Sequence, residues 1–344
     1  MKREATARTR TTGRRLAAAT AVAAAAALLA GCAQELPTPQ PEAAVVGPKL
    51  SEDQEAKVIS AVDTVLSTSV EKRSAKGLSS RMTGPALEIR TSQLKVAAIR
   101  KKDDLITEVP GDYQRIMPPT ADTWPRTGYS ITQLTEDLDT ARLVAFEQAD
   151  ARQPYKMWGW VQLLPETTLP AFADKEIGSD AVAADDASLA ANPADALKQY
   201  ADVLTHGDKS KFAKGFEISD TDLLKRVQQD AANLRKGEGF EDSDAKYTMK
   251  FAHRDGDLRA VRTADGGAVV MGVLTAQELL TAEKGAEVSP LTETQAALIG
   301  DKDPTNTLRV GYTDLVALYV PAKGSDEKIR PLGYQHTATS AANK

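Results

Sequence analysis

Two stretches of this 344-residue chain repeat one another without a gap. When Val65-Leu66 is laid over Val203-Leu204, Ala75-Lys76-Gly77-Leu78 falls on Ala213-Lys214-Gly215-Phe216. Ile59 with Leu197, Ser67 with Thr205 and Arg73 with Lys211 are near matches at the same offset. Each match lies at the same place in a similar order of elements, so the chain reads as one unit built twice. Residues 177–192 between the copies are polar, acidic and small, the composition of a linker. The expected organisation is a first domain at 51–176, a linker at 177–192 and a second domain at 193–341.

Each half opens with helices. In the second, Asn192 is an N-cap type, Pro193 suits the first turn and Asp195 suits the positive end of the dipole. Ala196, Leu197, Tyr200, Val203 and Leu204 recur at helical spacing, and Gly207 is a natural stop. A second helix is expected over 221–234. The counterparts in the first half are 51–69, with Val58, Ile59, Val62, Val65 and Leu66 facing inward, and 85–101. The apolar period then changes to two. Strands are expected at 129–134, 141–148 and 155–164, and again at 247–253, 258–263, 268–274, 307–320 and 329–339. Asp255-Gly256-Asp257 carries a hairpin signal, with Asp137-Leu138-Asp139 as its counterpart, and the 110–118 segment is available to complete the first sheet. Helices packed on one face of an antiparallel meander make an α+β fold.

The N-terminus sets the address. Lys2, Arg3, Arg8, Arg10, Arg14 and Arg15 precede an uncharged, alanine-rich run at 16–30, then Gly31 and the chain's single cysteine, Cys32. Charge, apolar run and small residues in that order read as a secretory signal. The run is shorter than the roughly 20 residues a membrane helix needs, which disfavours a permanent span. Leu28-Leu29-Ala30-Gly31-Cys32 resembles the lipobox of bacterial lipoproteins. That resemblance implies a signal peptide at 1–31, cleavage between Gly31 and Cys32, and a diacylglycerol (palmitate-type acyl chains) on the Cys32 thiol. Two acyl chains give stable attachment where one is marginal, so the implied location is the extracytoplasmic face of the cell membrane. Arg14-Arg15 raises a twin-arginine route, but Ala17 stands where a bulky apolar residue belongs, so the general secretory route stays open beside it. Residues 32–50, with Pro37, Pro39, Pro41 and Pro48, read as an extended tether.

Removing 1–31 takes the formal charge from −5 to about −10. An acidic body is a poor partner for nucleic acid. With Cys32 acylated no thiol is left, which excludes disulfides and cysteine-ligated metal centres. At the level of element order the chain resembles the cystatin-like and nuclear-transport-factor-2-like folds, two related domains each with helices on a curved antiparallel sheet. Its lipobox, its alanine-rich leader and its repeated Ala-Lys-Gly step before Leu78 or Phe216 resemble uncharacterised duplicated lipoproteins of actinobacteria. That resemblance implies no activity.

No motif names a reaction. There is no Gly-x-Ser-x-Gly elbow and no phosphate-binding or dinucleotide loop; Lys236-Gly237-Glu238-Gly239 is too short and carries an acid. The three histidines lack metal-ligand spacing: His206 suits a helix end, His253 a strand end at the surface and His336 the last strand. Three acidic groups, Glu136/Asp137/Asp139, Asp242/Asp244 and Asp301/Asp303 with Asn306, read as solvated turns. No cofactor is implied. In a chain only 5% aromatic, Trp158 and Trp160 on one face of one strand stand out as ligand-lining residues, with core packing as the plainer role. The expected function is a non-catalytic binding or assembly module, membrane-attached, with an unidentified protein or small molecule as partner. The alternative is an enzyme acting on envelope glycans, hydrolase or glycosyl transferase, which needs two acids across a cleft.

Overall fold

Capping chemistry starts the helices of the computed structural model, which describes residues 47–134, 140–237 and 239–343. Gly31, Cys32, the leader and most of the 32–50 segment lie outside the described residues, as do Glu136 and the Asp137-Leu138-Asp139 turn. Helix α1 (Glu52–Glu71) opens on a reciprocal box: Ser51 accepts from the Gln54 amide, and the Gln54 side chain accepts from the Ser51 amide. Helix α2 (Gly84–Arg100) begins with Pro85 in its first turn. In the second half Asn192 caps α3 (Pro193–His206) through the Asp195 amide at 2.7 Å. Asp222 caps α4 (Leu223–Arg235) through the Leu224 amide at 2.7 Å.

Strands β1 (Tyr113–Met117), β2 (Arg126–Thr132), β3 (Arg142–Gln148) and β4 (Lys156–Leu163) follow α2. Strands β5 (Lys246–Arg262), β6 (Ala268–Thr281), β7 (Thr307–Val320) and β8 (Arg330–Ala342) follow α4, with a short α5 (Glu293–Ile299) before β7. The fold is α+β with a curled antiparallel sheet. Where each half was expected to carry a sheet of its own, the eight strands of the described residues form one, in the order β1-β2-β3-β4-β8-β7-β6-β5. The last strands of the two halves meet at its centre, Gln162 opposite Tyr334 and Leu163 opposite Gly333. In each half the segment after the turn between its two helices bridges in parallel to the start of the last strand, Met82 to Met157 and Phe216 to Ile329.

The shared sheet has a packing cause. Strands β6 and β7 are apolar on both faces. Met271, Val273, Leu315 and Ala317 join the core under α1 and α2, while Val270, Leu274, Val316 and Leu318 join the core under α3. Their near-continuous apolar runs therefore need cover from both halves, and residues 47–343 form one compact unit. Gly272 lets α3 come close, since a Cβ there would overlap Leu197. The 177–192 segment is pinned to both halves: Ser179 donates to the Pro118 carbonyl, Val182 to Ala260 and Ala190 to Pro321.

Two local expectations change. Asp255-Gly256-Asp257 makes no hairpin. It is an irregularity within the 17-residue β5, where His253 pairs with Leu274 and Leu258 already with Gly272. Gly256 at φ +83° and the 2.6 Å Arg254–Asp257 ion pair close the bulge. Strand β6 also runs seven residues past the expected end, held by β5 and β7 on either side.

Candidate functional site

Strands β4 and β8 part after two pairs, and α2 fills the wedge between them: Ser92 Oγ donates to the Ala338 carbonyl at 2.9 Å. Trp158 and Trp160 pack against this helix. Both are buried, 2% and 0% exposed. A Cβ on Gly84 would lie 3.0 Å from Trp158 Nε1, so the small residue sets how closely α2 approaches. Arg259 lies over the Trp158 ring and Arg90 over the Trp160 ring.

Trp160 reaches the wedge through its edge. Its Nε1 donates to Gln335 Oε1 at 3.2 Å, across the gap where the two strands separate. The Thr107 hydroxyl donates to the same oxygen at 3.3 Å and accepts from Gln93 Nε2 at 2.7 Å. Gln335 Nε2 donates to Thr337 Oγ1 at 2.9 Å. Beside this amide network opens a pocket of about 460 Å³, lined by Gln93, Gln335, His336 and Tyr312 with Arg100 and Arg226 at its rim. Arg100 pairs with Asp104 and Glu293, and Arg226 faces Asp230 at 3.9 Å, so both arginines at the rim have carboxylate partners. Neutral amides and a hydroxyl suit an uncharged polar ligand.

His336, placed by sequence only in the last strand, is central here. It stands opposite Asp314 on β7, with Nδ1 2.8 Å from Oδ1. Asp314 is fully buried, and among the described residues its second oxygen has no partner. The imidazole stacks on Tyr312 at 4.3 Å and 9°. The Tyr312 hydroxyl donates to Glu278 at 2.6 Å, and burial followed by the Glu278 charge drives its pKa upward. Of the other histidines, His206 sits in the last turn of α3 near Asp202, as its position suggested. His253 turns its ring inward, its side chain 1% exposed, onto the Val273 carbonyl, and burial lowers its pKa.

Two further carboxyls carry raised pKa values. Burial lifts Asp222 to about 6 although it accepts from Leu224 N and from the Tyr200 hydroxyl at 2.8 Å; it borders a groove of about 700 Å³ beside the β4–β8 pair. Burial lifts Glu55, on the inner face of α1, to about 7. Asp242 and Asp244 lie in the turn before β5, and Asp303 offers its carbonyl to Asn343. Among the described residues no cluster of three His, Cys, Asp or Glu side chains could hold a metal. Among them too, no helix is long and apolar enough to cross a membrane.

The family described as Domain of unknown function (DUF8094) matches residues 46–343. The chain belongs to that family. It is also similar to an uncharacterized lipoprotein of Streptomyces avermitilis, 28% identical over 208 residues, which cover 60% of this chain and 58% of that protein. No solved structure matches.

Proposed function

We propose that this is a lipid-anchored extracytoplasmic binding module that holds an uncharged polar ligand, an oligosaccharide in class, in the wedge between β4 and β8. Residues 1–31 would be the cleaved signal, Cys32 the lipidated residue and 32–50 the tether. The lipoprotein named among its relatives supports the anchor. The observation that carries the binding reading is the Gln335 side chain, which stands at the pocket wall with Thr107 and Thr337 and accepts a hydrogen bond from the buried Trp160 behind it. A calorimetric titration with chitotriose, a neutral N-acetylglucosamine trimer, tests it. Binding by the intact chain and its loss in Gln335→Ala support the reading. Absence of binding, or binding unchanged by the substitution, overturns it.

We also read the two halves as related domains of the cystatin-like or nuclear-transport-factor-2-like kind, fused through their last strands. The shared order of helix, turn, helix and four strands supports this. A second functional reading, an enzyme acting on envelope glycans, draws on the buried Asp314–His336 pair beside the pocket, since such a pair can orient a general base. Release of soluble fragments from peptidoglycan by the intact chain, abolished in His336→Gln, would favour it over simple binding.

A further inference from the structure

Another pocket, of about 640 Å³, lies between α1 and the 106–111 segment and shares Thr107 with the wedge pocket. Its apolar wall includes Leu66, Val70 and Ile106. Arg90 contributes to its lining although the residue is only 2% exposed. One guanidinium nitrogen, Nη2, donates to the Thr107 carbonyl at 2.8 Å, and the group lies over the Trp160 ring. Among the described residues Nε and Nη1 have no hydrogen-bond partner, and none of their carboxylates pairs with the charge. A buried guanidinium ordinarily has an anionic partner, because desolvating a lone charge costs several kilocalories per mole.

The carboxylates near it are at the mouth. Asp63, Glu71 and Glu108 border the same pocket and are exposed, while Asp103 is already taken by Arg73 through two bonds of 2.6 and 2.9 Å. A simple anion meets repulsion on the way in, and a simple cation meets Arg90 at the floor. A molecule with a carboxylate at one end, a short apolar body and an ammonium at the other satisfies both.

We propose that this pocket binds a short zwitterionic peptide, its C-terminal carboxylate on Arg90 and its amino group at the Asp63–Glu108 mouth. The guanidinium is nearly sealed at the edge of this pocket. It reaches the ligand by a rotamer change that gives up one bond, to the Thr107 carbonyl, and the ring contact. Thr107 lines both this pocket and the oligosaccharide wedge, and Arg90 lies over Trp160, so the two sites adjoin; the ligands differ, the trialanine and chitotriose titrations are read separately, and either reading can fail alone.

The test is calorimetry and thermal melting of the full chain with trialanine, alongside its C-terminal amide and its N-acetyl form. Trialanine binds and raises the melting temperature. The amide, lacking the carboxylate, binds at least about tenfold more weakly. The acetylated peptide and the double variant Asp63→Asn, Glu108→Gln lose affinity from the amino end. Arg90→Met abolishes binding while the empty protein melts at the same temperature or higher, because an unneutralised charge has left the interior. Equal response to peptide and amide overturns the proposal, as does no saturable binding up to about 10 mM. So does an Arg90→Met protein that still binds, or one that melts lower without ligand, which would make the guanidinium a structural group.

Discussion

Glu55→Gln should stabilise the protein at neutral pH and do nothing at acidic pH. Glu55 faces inward from α1, 5% exposed, and among the described residues its side chain accepts one hydrogen bond, from the Ser130 hydroxyl to Oε1 at 3.0 Å. Burial, helped by the neighbouring Glu52 charge, outweighs that bond and lifts the pKa from 4.5 to about 7. The folded protein therefore keeps a proton that the unfolded chain has released between these values. Stability from this group is greatest below pH 4.5, falls as pH rises through the window and levels off above 7. At about 1.4 kcal/mol per pH unit, the penalty at pH 8 approaches ~3 kcal/mol. Glutamine keeps the acceptor for Ser130 and cannot ionise. Urea unfolding of both proteins at pH 4, 6 and 8, followed by fluorescence of the buried Trp158 and Trp160, should show the variant gaining up to ~3 kcal/mol at pH 8 and nothing at pH 4. Asp222 titrates in both proteins with the same sign, between 3.8 and about 6, and cancels in the difference. A variant less stable at pH 8, or a difference that ignores pH, would refute the reasoning.

Gly272→Ala puts a Cβ into Leu197 and should cost about 1–3 kcal/mol in urea unfolding, loosening α3 from the sheet. Asp222→Ala removes the cap of α4 and the acceptor for the buried Tyr200 hydroxyl. It should cost about 2–4 kcal/mol, whereas Asp222→Asn retains most of the cap. Trp160→Phe keeps the ring in the core but deletes the bond to Gln335. Chitotriose affinity should fall by about tenfold, with a stability loss of only about 1 kcal/mol by urea unfolding.

The helix starts were legible because caps are local: Asn192 and Pro193 carry their meaning within four residues. The Asp255-Gly256-Asp257 signal misled because the same residues serve a hairpin or a bulge. The continuous partner β6 decides between them, and it lies outside any sequence window. Pairing of Gln162 with Tyr334 has no local signature either, so the joining of the halves was hidden. In the candidate site, the tryptophan pair was visible as a pattern, but its burial depends on α2. Gln335, Thr107 and Gln93 are ordinary polar residues until the fold places them together. Asp314 opposite His336 was within reach of register reasoning, since both lie in expected strands, but no sequence rule fixes which residues face one another across β7 and β8.

Lipid attachment at Cys32 is the claim on which the proposed role depends most, and mass spectrometry of the N-terminal peptide from the membrane fraction of cells making the full chain tests it directly. A peptide beginning at Cys32 and carrying a diacylglycerol is the predicted result. A chain still beginning at Met1, or an unmodified Cys32 in a protein recovered free of membrane, would contradict it.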